Sequence, residues 1–139
     1  EILQKLNKSS DLNKAEYIVK AANKLGFRTE LNCIIGHPYE NFRTAIDTIN
    51  FVSKLNPYLP VFGIMIPYPD TEVYKMALHN KGDYILKSTD WDDYNKQLGN
   101  ALELKHLTLK QMRLLQLYGY ISLYRKLQIF RFYQILFKI

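Results

Sequence analysis

Apolar residues follow two different spacings along the chain. Helical spacing recurs in three stretches, at 11–25, 41–55 and 71–80. Two shorter stretches between these helices have the composition of strands, at 28–35 and 61–66. The second of them is continuously apolar, which is typical of a parallel strand that is covered on both faces. Together the segments predict a β-α-β unit with a right-handed crossover.

The remainder of the chain has a different pattern. Residues 83–106 are polar and aromatic, and we expect them to be mainly loop. Thr108 is a suitable N-cap for a long helix that follows it. One apolar stripe of this helix comprises Leu114, Leu117, Tyr118, Ile121 and Tyr124. The pattern leaves open whether residues 127–139 continue the same helix.

Two strands are too few for a parallel sheet that covers itself. A buried parallel strand pairs on both sides, whereas two strands supply only one pairing. We therefore expect the neighbouring strands to come from chain beyond this sequence or from a partner.

The composition is that of a folded domain. The chain has 139 residues, of which 47% are hydrophobic and 23% are charged, and this argues against low-complexity disorder. It begins with Glu1 rather than Met and has no basic and apolar leader. We therefore expect a boundary at this point rather than a natural translation start.

The single cysteine, Cys33, restricts the chemistry. One thiol forms no internal disulfide and builds no cysteine-held cluster, so we expect the chain on its own to bind no iron. A free cysteine in a strand is typically a small buried hydrophobe. His79 and His106 have no ligand spacing, and we predict no metal site. A chain without disulfides is typical of a reducing compartment, which predicts a cytoplasmic protein.

Basic residues dominate the C-terminal part of the chain. The net charge is +6, and no Asp or Glu follows Glu103. The charged residues beyond it are Lys105, Lys110, Arg113, Arg125, Lys126, Arg131 and Lys138. This asymmetry favours an acidic partner or association with an anionic membrane surface. It does not indicate a membrane span, because the longest uncharged stretch there, 114–124, is shorter than the roughly 20 apolar residues that a span needs.

Two loops that follow the predicted strands are the candidates for ligand binding. Residues 36–40 read Gly-His-Pro-Tyr-Glu, and residues 67–72 read Pro-Tyr-Pro-Asp-Thr-Glu. Ligands of parallel α/β folds bind at the carboxyl ends of the strands, and the prolines stiffen both loops. The alternative is that both are ordinary strand-to-helix turns, with Asp70 or Thr71 capping the third helix.

The same loops and their strands resemble a known family. Residues 32–40 read Asn-Cys-Ile-Ile-Gly-His-Pro-Tyr-Glu, and residues 67–74 read Pro-Tyr-Pro-Asp-Thr-Glu-Val-Tyr. In this order and separation they resemble the second half of the radical S-adenosylmethionine barrel, in the branch often preceded by a cobalamin-binding domain. The stretches 2–8 and 91–94 and the Thr108 helix are also similar to that branch.

The resemblance implies an α/β fold that forms the C-terminal part of such an enzyme. It assigns residues 1–82 to the second half of a partial parallel (β/α) barrel. Residues 83–139 would form a loop and a helical C-terminal extension. The missing N-terminal half of the same enzyme would then be a partner of this chain.

The resemblance also implies an adenine-binding surface. Ile34 would pack on the adenine of S-adenosylmethionine, and the backbone from Ile66 to Tyr68 would hydrogen-bond the edge of that ring. Gly36 would let the chain turn beneath it. The full set of expected cofactor-binding residues is Ile34, Gly36, Pro38, Ile66, Pro67 and Tyr68. We expect no catalytic residue in this chain, and we expect Glu40 to orient its loop or to cap the second helix.

Three positions depart from the family pattern. Asn32, Tyr39 and Asp70 stand where the family usually has glycine. The change at Asn32 weakens the adenine assignment. We expect the changes at Tyr39 and Asp70 to affect substrate access.

The cofactors that the resemblance implies belong to the parent enzyme. They are S-adenosylmethionine, a four-iron iron–sulfur cluster held by a CxxxCxxC motif and, in the named branch, cobalamin. This chain contains no such motif, so we expect it to be inactive alone. The parent would carry out radical-based modification or methylation of a substrate that the sequence does not identify.

A second interpretation is a non-catalytic docking module. The basic and aromatic C-terminal helix, over 108–139, would bind an anionic membrane or a nucleic acid, although no specific nucleic acid is predicted. A simpler alternative for this helix is packing against the parent domain. Salt-sensitive binding to anionic liposomes would favour docking, and S-adenosylmethionine dependence of the parent would favour the enzyme.

Overall fold

The computed structural model describes residues 11–95, 97 and 99–136, with side chains as far as residue 123. The stretch 2–8 that contributed to the resemblance lies outside the described residues. The described elements, in chain order, are α1 (Leu12–Lys24), β1 (Glu30–Ile35), α2 (Phe42–Leu55), β2 (Leu59–Ile64), α3 (Glu72–Leu78), β3 (Tyr84–Leu86), a 3₁₀ helix (Trp91–Asp93), β4 (Leu102–Leu104) and α4 (Leu109–Leu136).

The first two strands form the predicted β-α-β unit. Strands β1 and β2 pair in parallel, from Glu30 opposite Leu59 to Ile35 opposite Ile64. The second strand begins and ends two residues earlier than predicted, so that it includes Pro60 rather than starting after it. Proline is tolerated there because the nitrogen of Pro60 faces away from β1, where no ladder bond is lost. The fold is therefore α/β with a small parallel sheet, and the described residues form no closed barrel.

One face of this sheet carries the core. Helices α2 and α4 contact each other and pack near the strands. The capping box that Asn41 and Thr44 form fixes the start of α2. Largest among the fully buried side chains of the core are Tyr84, Phe62, Ile35, Ile49, Ile64, Leu102, Leu104, Leu107, Met112, Leu115 and Leu123. These residues come from both sides of residue 82, and the division into 1–82 and 83–139 stays a prediction.

Side chains of helix α4 form hydrogen bonds with the outer edge of β2. The Tyr120 hydroxyl accepts a hydrogen bond from the Phe62 N–H at 3.1 Å, and the Gln116 amide donates to the Phe62 carbonyl at 2.7 Å. Gly119 permits this approach, because a Cβ at that position would lie 2.8 Å from the Phe62 ring. At Phe62, side chains of a helix thus satisfy the outward backbone groups of β2, and the expectation of further strands from elsewhere stays a prediction.

The outer edge of β1 is open in the described part of the chain. Strand β2 is the only strand that pairs with β1 there. The carbonyls of Thr29 and Ile35 face β2, where they accept from the N–H groups of Leu59 and Met65. Backbone groups alternate in direction along a strand. Those of the even-numbered residues between them, such as Asn32, therefore face away from β2.

Residues 83–106 are mainly loop, as predicted, but they also contain two short paired strands that the sequence did not indicate. Strands β3 and β4 pair antiparallel, from Tyr84 opposite Leu104 to Leu86 opposite Leu102. The two strands are three residues long, which is too short for alternation to be recognised. Their buried side chains, including Tyr84 and Leu104, join the main core.

Helix α4 turns to the core a face other than the apolar stripe noted in the sequence. Its buried residues include Met112, Leu115 and Leu123. Of the predicted stripe, Leu114, Leu117, Tyr118 and Ile121 are between 44% and 55% exposed, and the side chain of Tyr124 lies outside the described ones. The helix continues without interruption to Leu136, which answers the question left open for residues 127–136. None of the helices in the described part of the chain combines the length and hydropathy that crossing a membrane requires.

Candidate functional site

An apolar groove lies at the carboxyl ends of β1 and β2. It has a volume of about 210 Å³ and is lined by Ile34, Gly63, Ile64, Met65, Ile66 and Tyr68. Three of the six residues predicted to bind the cofactor, Ile34, Ile66 and Tyr68, are thus brought together. None of the lining residues carries a charge, so the groove suits a neutral, apolar group.

Ile34 forms an exposed apolar surface of the groove. It is 42% exposed, whereas its neighbour Cys33 is partly buried and packs against the core. This difference follows from the alternation of side chains along a strand. Opposite Ile34 in the sheet lies Gly63, which has no side chain to cover it. Burial also raises the pKa of the Cys33 thiol, so that residue behaves as the small hydrophobe expected from the sequence.

The segment after β2 contributes backbone rather than side chains. Ile66 is buried and packs with Tyr94 and Ala101, and Pro67 is buried as well. The N–H of Tyr68 donates to the Ile66 carbonyl at 3.1 Å, which closes a tight turn. No hydrogen bond with another described residue uses the N–H of Ile66 or the carbonyl of Pro67. As far as the described residues are concerned, one donor and one acceptor therefore remain uncommitted beside the groove.

Gly36 and Pro38 lie behind the groove and do not line it. The N–H of Gly36 donates to the Glu40 carboxylate at 2.6 Å, and the Gly36 carbonyl accepts from the Tyr84 hydroxyl at 3.0 Å. Gly36 has φ of +101°, and a Cβ there would meet Met112 and Met65. Pro38 is buried close to Gly82, at 3.1 Å from the position of an added Cβ. Both residues shape the loop, and contact of either with a cofactor stays a prediction.

Glu40 is the central residue of that loop. Its side chain is 2% exposed and accepts from the N–H groups of both Gly36 and His37. Burial raises the pKa of the Glu40 carboxyl, and these two hydrogen bonds partly oppose the rise. Burial, together with the nearby charge of Glu40, likewise raises the pKa of Tyr84. Glu40 thus orients the loop, as expected, whereas the cap of α2 is Asn41.

Three aromatic rings adjoin the groove, and the sequence did not predict them as a group. Tyr68 contacts Trp91, with ring centroids 6.5 Å apart, and Tyr94, at 5.9 Å. Trp91 and Tyr94 are 5.2 Å apart. We call these three residues the aromatic wall. Trp91 and Tyr94 lie in the connection between β3 and β4, whose lack of periodicity gave no indication of this contact.

The described residues offer no cluster of metal-ligating side chains. No group of three His, Cys, Asp or Glu side chains is placed there to hold a metal ion. The four-iron cluster that the resemblance implies requires three thiolates, and the chain has one cysteine. The residues of this chain therefore do not fit that cluster.

Two curated proteins are similar to this chain. An uncharacterized methyltransferase of Pyrococcus horikoshii is 32% identical over 123 residues, covering 88% of this chain and 26% of its own length. The bacteriochlorophyllide d C-8(2)-methyltransferase of Chlorobaculum tepidum is 26% identical over 82 residues, covering 59% of this chain and 18% of its own length. No family model matches the chain. The chain thus spans about a quarter or less of the length of these relatives.

These comparisons correct the identification made from the sequence motifs. The relatives are named as methyltransferases, and neither name specifies a radical enzyme. Together with the lack of a matching family model, they do not support assignment as the C-terminal part of a radical S-adenosylmethionine enzyme of the cobalamin-associated branch. They lend no support to an iron–sulfur cluster or to cobalamin. What they support is a likeness to methyltransferases, for which S-adenosylmethionine is a plausible methyl donor.

Proposed function

We propose that this chain acts within an S-adenosylmethionine-dependent methyltransferase and that its groove binds the adenine ring of that cosubstrate. The likeness to two methyltransferases supports the reaction class. The observation that carries the site is the groove itself, in which the exposed side chain of Ile34 lies near uncommitted backbone groups. Adenine requires this combination of a flat apolar contact and a few polar partners at its edge.

Each part of the groove has a separate role in this proposal. Ile34 provides the apolar surface on which the ring lies, and the absent side chain of Gly63 leaves room above the sheet. The N–H of Ile66 donates to a ring nitrogen of adenine, and the carbonyl of Pro67 accepts from its exocyclic amine. S-adenosylmethionine supplies the methyl group when it is bound, and these residues hold and orient its nucleoside end.

Gly36, Pro38 and Glu40 act indirectly. The hydrogen bonds of Gly36 with Glu40 and Tyr84 fix the loop that follows β1, and Pro38 lies close to Gly82. The loop in turn fixes the end of the strand that carries Ile34. A preformed site lowers the cost of ordering side chains on binding. These residues therefore contribute to affinity through the position of Ile34.

The test of this proposal is truncation of Ile34. Ile34→Ala removes apolar surface beneath the ring and should cost about 1–2 kcal/mol of binding. This corresponds to roughly a tenfold higher Kd for S-adenosylmethionine, measured by calorimetric titration of the whole protein. Cys33→Ala is the matched control, because the neighbouring side chain faces the core. It should lower folding stability and leave the Kd nearly unchanged. A folded Ile34→Ala protein that binds like the wild type would refute the adenine assignment.

A second candidate function concerns helix α4. Its exposed face carries Leu114, Leu117, Tyr118 and Ile121, and Lys110 lies one turn before them on the same face. An apolar stripe with basic neighbours is typical of helices that lie on anionic membranes. The excess of basic over acidic residues after Glu103 supports the same partner. A nucleic acid is a less suitable partner, because an exposed stripe of mainly aliphatic side chains makes few favourable contacts with it.

Vesicle flotation tests the membrane interpretation. The protein should float with vesicles of phosphatidylcholine and phosphatidylserine, and not with phosphatidylcholine alone or at high salt. Leu117→Glu should abolish flotation. Leu78→Glu, at a residue of similar exposure away from α4, should leave it unchanged. Flotation that is insensitive to Leu117→Glu, or salt-sensitive binding to single-stranded DNA in its place, would exclude a membrane role for this face.

A further inference from the structure

The aromatic wall continues the groove at one end. Tyr68 belongs to both, since it lines the groove and its ring contacts Trp91 and Tyr94. A ligand in the groove and a ligand on the wall would therefore be neighbours. The adenine assignment uses the groove near Ile34 and leaves the wall without a role.

The wall exposes more aromatic surface than packing requires. Trp91 is 66% exposed and Tyr68 is 45% exposed. Adjacent exposed rings of this size are unusual on a surface that binds nothing. Tyr94 lies behind them at 8% exposure and rests on Ile66 and Ala101. The outer rings are thus supported by the core.

Hydrogen bonds fix the backbone on which the wall is built. The Asp90 side chain caps the 3₁₀ helix by accepting from the Asp92 N–H at 3.0 Å. The Asn100 amide donates to Asp93 at 3.1 Å. On the other side, the Thr71 hydroxyl donates to the Tyr68 carbonyl at 2.6 Å. The surface is therefore preorganised, which lowers the entropic cost of binding a rigid ligand.

The hydroxyl of Tyr94 is the polar group of the buried ring of the wall. It is buried and has no hydrogen-bond partner among the described residues. A buried hydroxyl without a partner costs free energy, and most such groups in native proteins are satisfied. Burial, followed by the influence of Tyr74, raises the pKa of Tyr94, so the hydroxyl keeps its proton and can donate.

The charges around the wall restrict the chemistry of that ligand. Trp91 lies between Asp90 and Asp92 in the sequence, with Asp93 next. The groove residues are all uncharged. A phosphate or another anion would be repelled by the carboxylates and would find no cation among the groove residues. A flat, uncharged ring gains dispersion and stacking on the exposed aromatic faces instead.

We propose that the aromatic wall binds the methyl acceptor and that this acceptor carries a planar, uncharged aromatic ring. The inference rests on the proposed function, since it takes the neighbouring groove as the site of the methyl donor. Its ring lies on Trp91 and Tyr68, which Tyr94 supports from behind. Donor and acceptor are then held side by side, which is the main requirement for group transfer.

The experiment uses a pair of small probes with the same carbon skeleton. 2-Naphthol is planar, whereas decahydro-2-naphthol carries the same hydroxyl on a saturated, puckered ring. Trp91 is the only tryptophan of the chain, so its indole N–H can be followed as one assigned signal by NMR. 2-Naphthol should shift this signal in a saturable manner, and the saturated probe should bind at least about tenfold more weakly, the scale expected for loss of one stacking contact.

Variants then locate the probe. Trp91→Ala should weaken 2-naphthol binding about tenfold by calorimetry and leave the Kd for S-adenosylmethionine unchanged. Tyr58→Ala is the control, because Tyr58 is 46% exposed and lies beside Arg28, away from the groove. Equal binding of the two probes, or 2-naphthol binding that survives Trp91→Ala, would overturn the inference.

A parallel titration separates this inference from the function on which it rests. If Ile34→Ala weakens the binding of S-adenosylmethionine but Trp91→Ala does not weaken the binding of 2-naphthol, only the assignment of the aromatic wall fails. If 2-naphthol requires Trp91 but the whole protein binds no S-adenosylmethionine, the methyltransferase proposal fails and the acceptor role fails with it. Both assignments are supported only if Ile34→Ala weakens the binding of S-adenosylmethionine and Trp91→Ala weakens the binding of 2-naphthol.

Discussion

At the scale of single residues, backbone conformation distinguishes the three positions where glycine was expected. Tyr39 has φ of 61° and Asp70 has φ of 65°, both in the left-handed region that glycine adopts without cost. Asn32 lies within β1 and needs no such conformation. The expectation of glycine thus has a physical basis at two of the positions. Asp tolerates this region better than Tyr, so the strain is concentrated at Tyr39.

Replacement of Tyr39 should reveal that strain. Tyr39→Gly and Tyr39→Ala both remove the side chain, and only glycine removes the Cβ that disfavours this conformation. We expect Tyr39→Gly to be more stable than Tyr39→Ala by about 1 kcal/mol, measured by urea unfolding. The same pair at Tyr17, inside α1, should show the opposite order, because glycine destabilises a helix by a similar amount. Equal stability of the Tyr39 pair would contradict the left-handed conformation.

The buried carboxyl of Glu40 should make stability depend on pH. Burial raises the pKa of Glu40 in the folded state. The contribution of Glu40 to the free energy of unfolding is therefore most favourable below pH 4.5, the pKa in the unfolded state. This contribution is lost as the pH rises through the pKa of the folded state. Glu40→Gln keeps one oxygen to accept from Gly36 and His37 and has no charge to bury. We expect the variant to gain stability relative to the wild type as the pH rises above 4.5, the unfolded value.

Glu16 provides the control for this pH dependence. Hydrogen bonds and charge from Lys20 and Lys54 lower the pKa of Glu16, so its contribution is present above the unfolded value and is lost as pH falls. Relative to Glu16→Gln, the wild type should therefore lose stability below about pH 4.5, the unfolded value. A difference between Glu40→Gln and the wild type that stays constant across the range would show that Glu40 is not charged and buried as described.

At the scale of elements, the sequence predicted what depends on periodicity and missed what depends on tertiary contact. The β-α-β unit and the opposite directions of Cys33 and Ile34 follow from helical and strand periods. The sequence did not predict the hairpin of β3 and β4, because strands of three residues show no recognisable period. In α4, apolar residues recur on two faces of the helix. Only the contact of the helix with Phe62 determines that the face with Leu115 is the buried one. The aromatic wall likewise depends on how the β3–β4 connection folds back on Tyr68.

The hydrogen bonds between α4 and the outer edge of β2 should contribute measurably to the free energy of unfolding. Tyr120→Phe keeps the ring on Phe62 and leaves the Phe62 N–H without its acceptor. We expect a loss of about 1–3 kcal/mol in the free energy of unfolding, measured by urea denaturation. Tyr118→Phe removes a hydroxyl from the exposed face of the same helix and should change stability by less than about 0.5 kcal/mol. Equal effects of the two substitutions would contradict the assigned contact.

At the scale of the whole molecule, the described sheet has one covered face and one exposed face. Ile34 and the even-numbered residues before it lie on the exposed face, where the groove begins. The core lies on the other face, under α2 and α4. The sequence predicted that two strands would leave the sheet incomplete, because it contains no third run of the same kind. It could not predict which edge would be open, since this depends on where Gln116 and Tyr120 are placed in space.

We expect the chain by itself to associate through the open edge of β1, because unpaired backbone groups of a strand accept another strand. Asn32→Lys places a charge at the centre of that edge and should shift the chain towards monomer in sedimentation velocity. Asn50→Lys makes the same change on the exposed surface of α2 and should leave the distribution unchanged. A wild-type chain that sediments as a monomer at all concentrations would refute this expectation.

The contacts of Gln116 and Tyr120 with Phe62 also limit how far such association can extend. Continuous growth of a fibril requires each unit to offer two adhesive edges, one for the unit before it and one for the unit after. In the part of the chain that the structure describes, the edge of β1 is open and that of β2 is covered at Phe62, so we expect the sheet to act as a unit of valence one whose assembly stops at a pair. In kinetic terms, the pair is an end product and does not act as a nucleus for fibril growth. Opening the second edge by the double substitution of Gln116 and Tyr120 with alanine would raise the valence to two, and only that chain should then elongate on a seed.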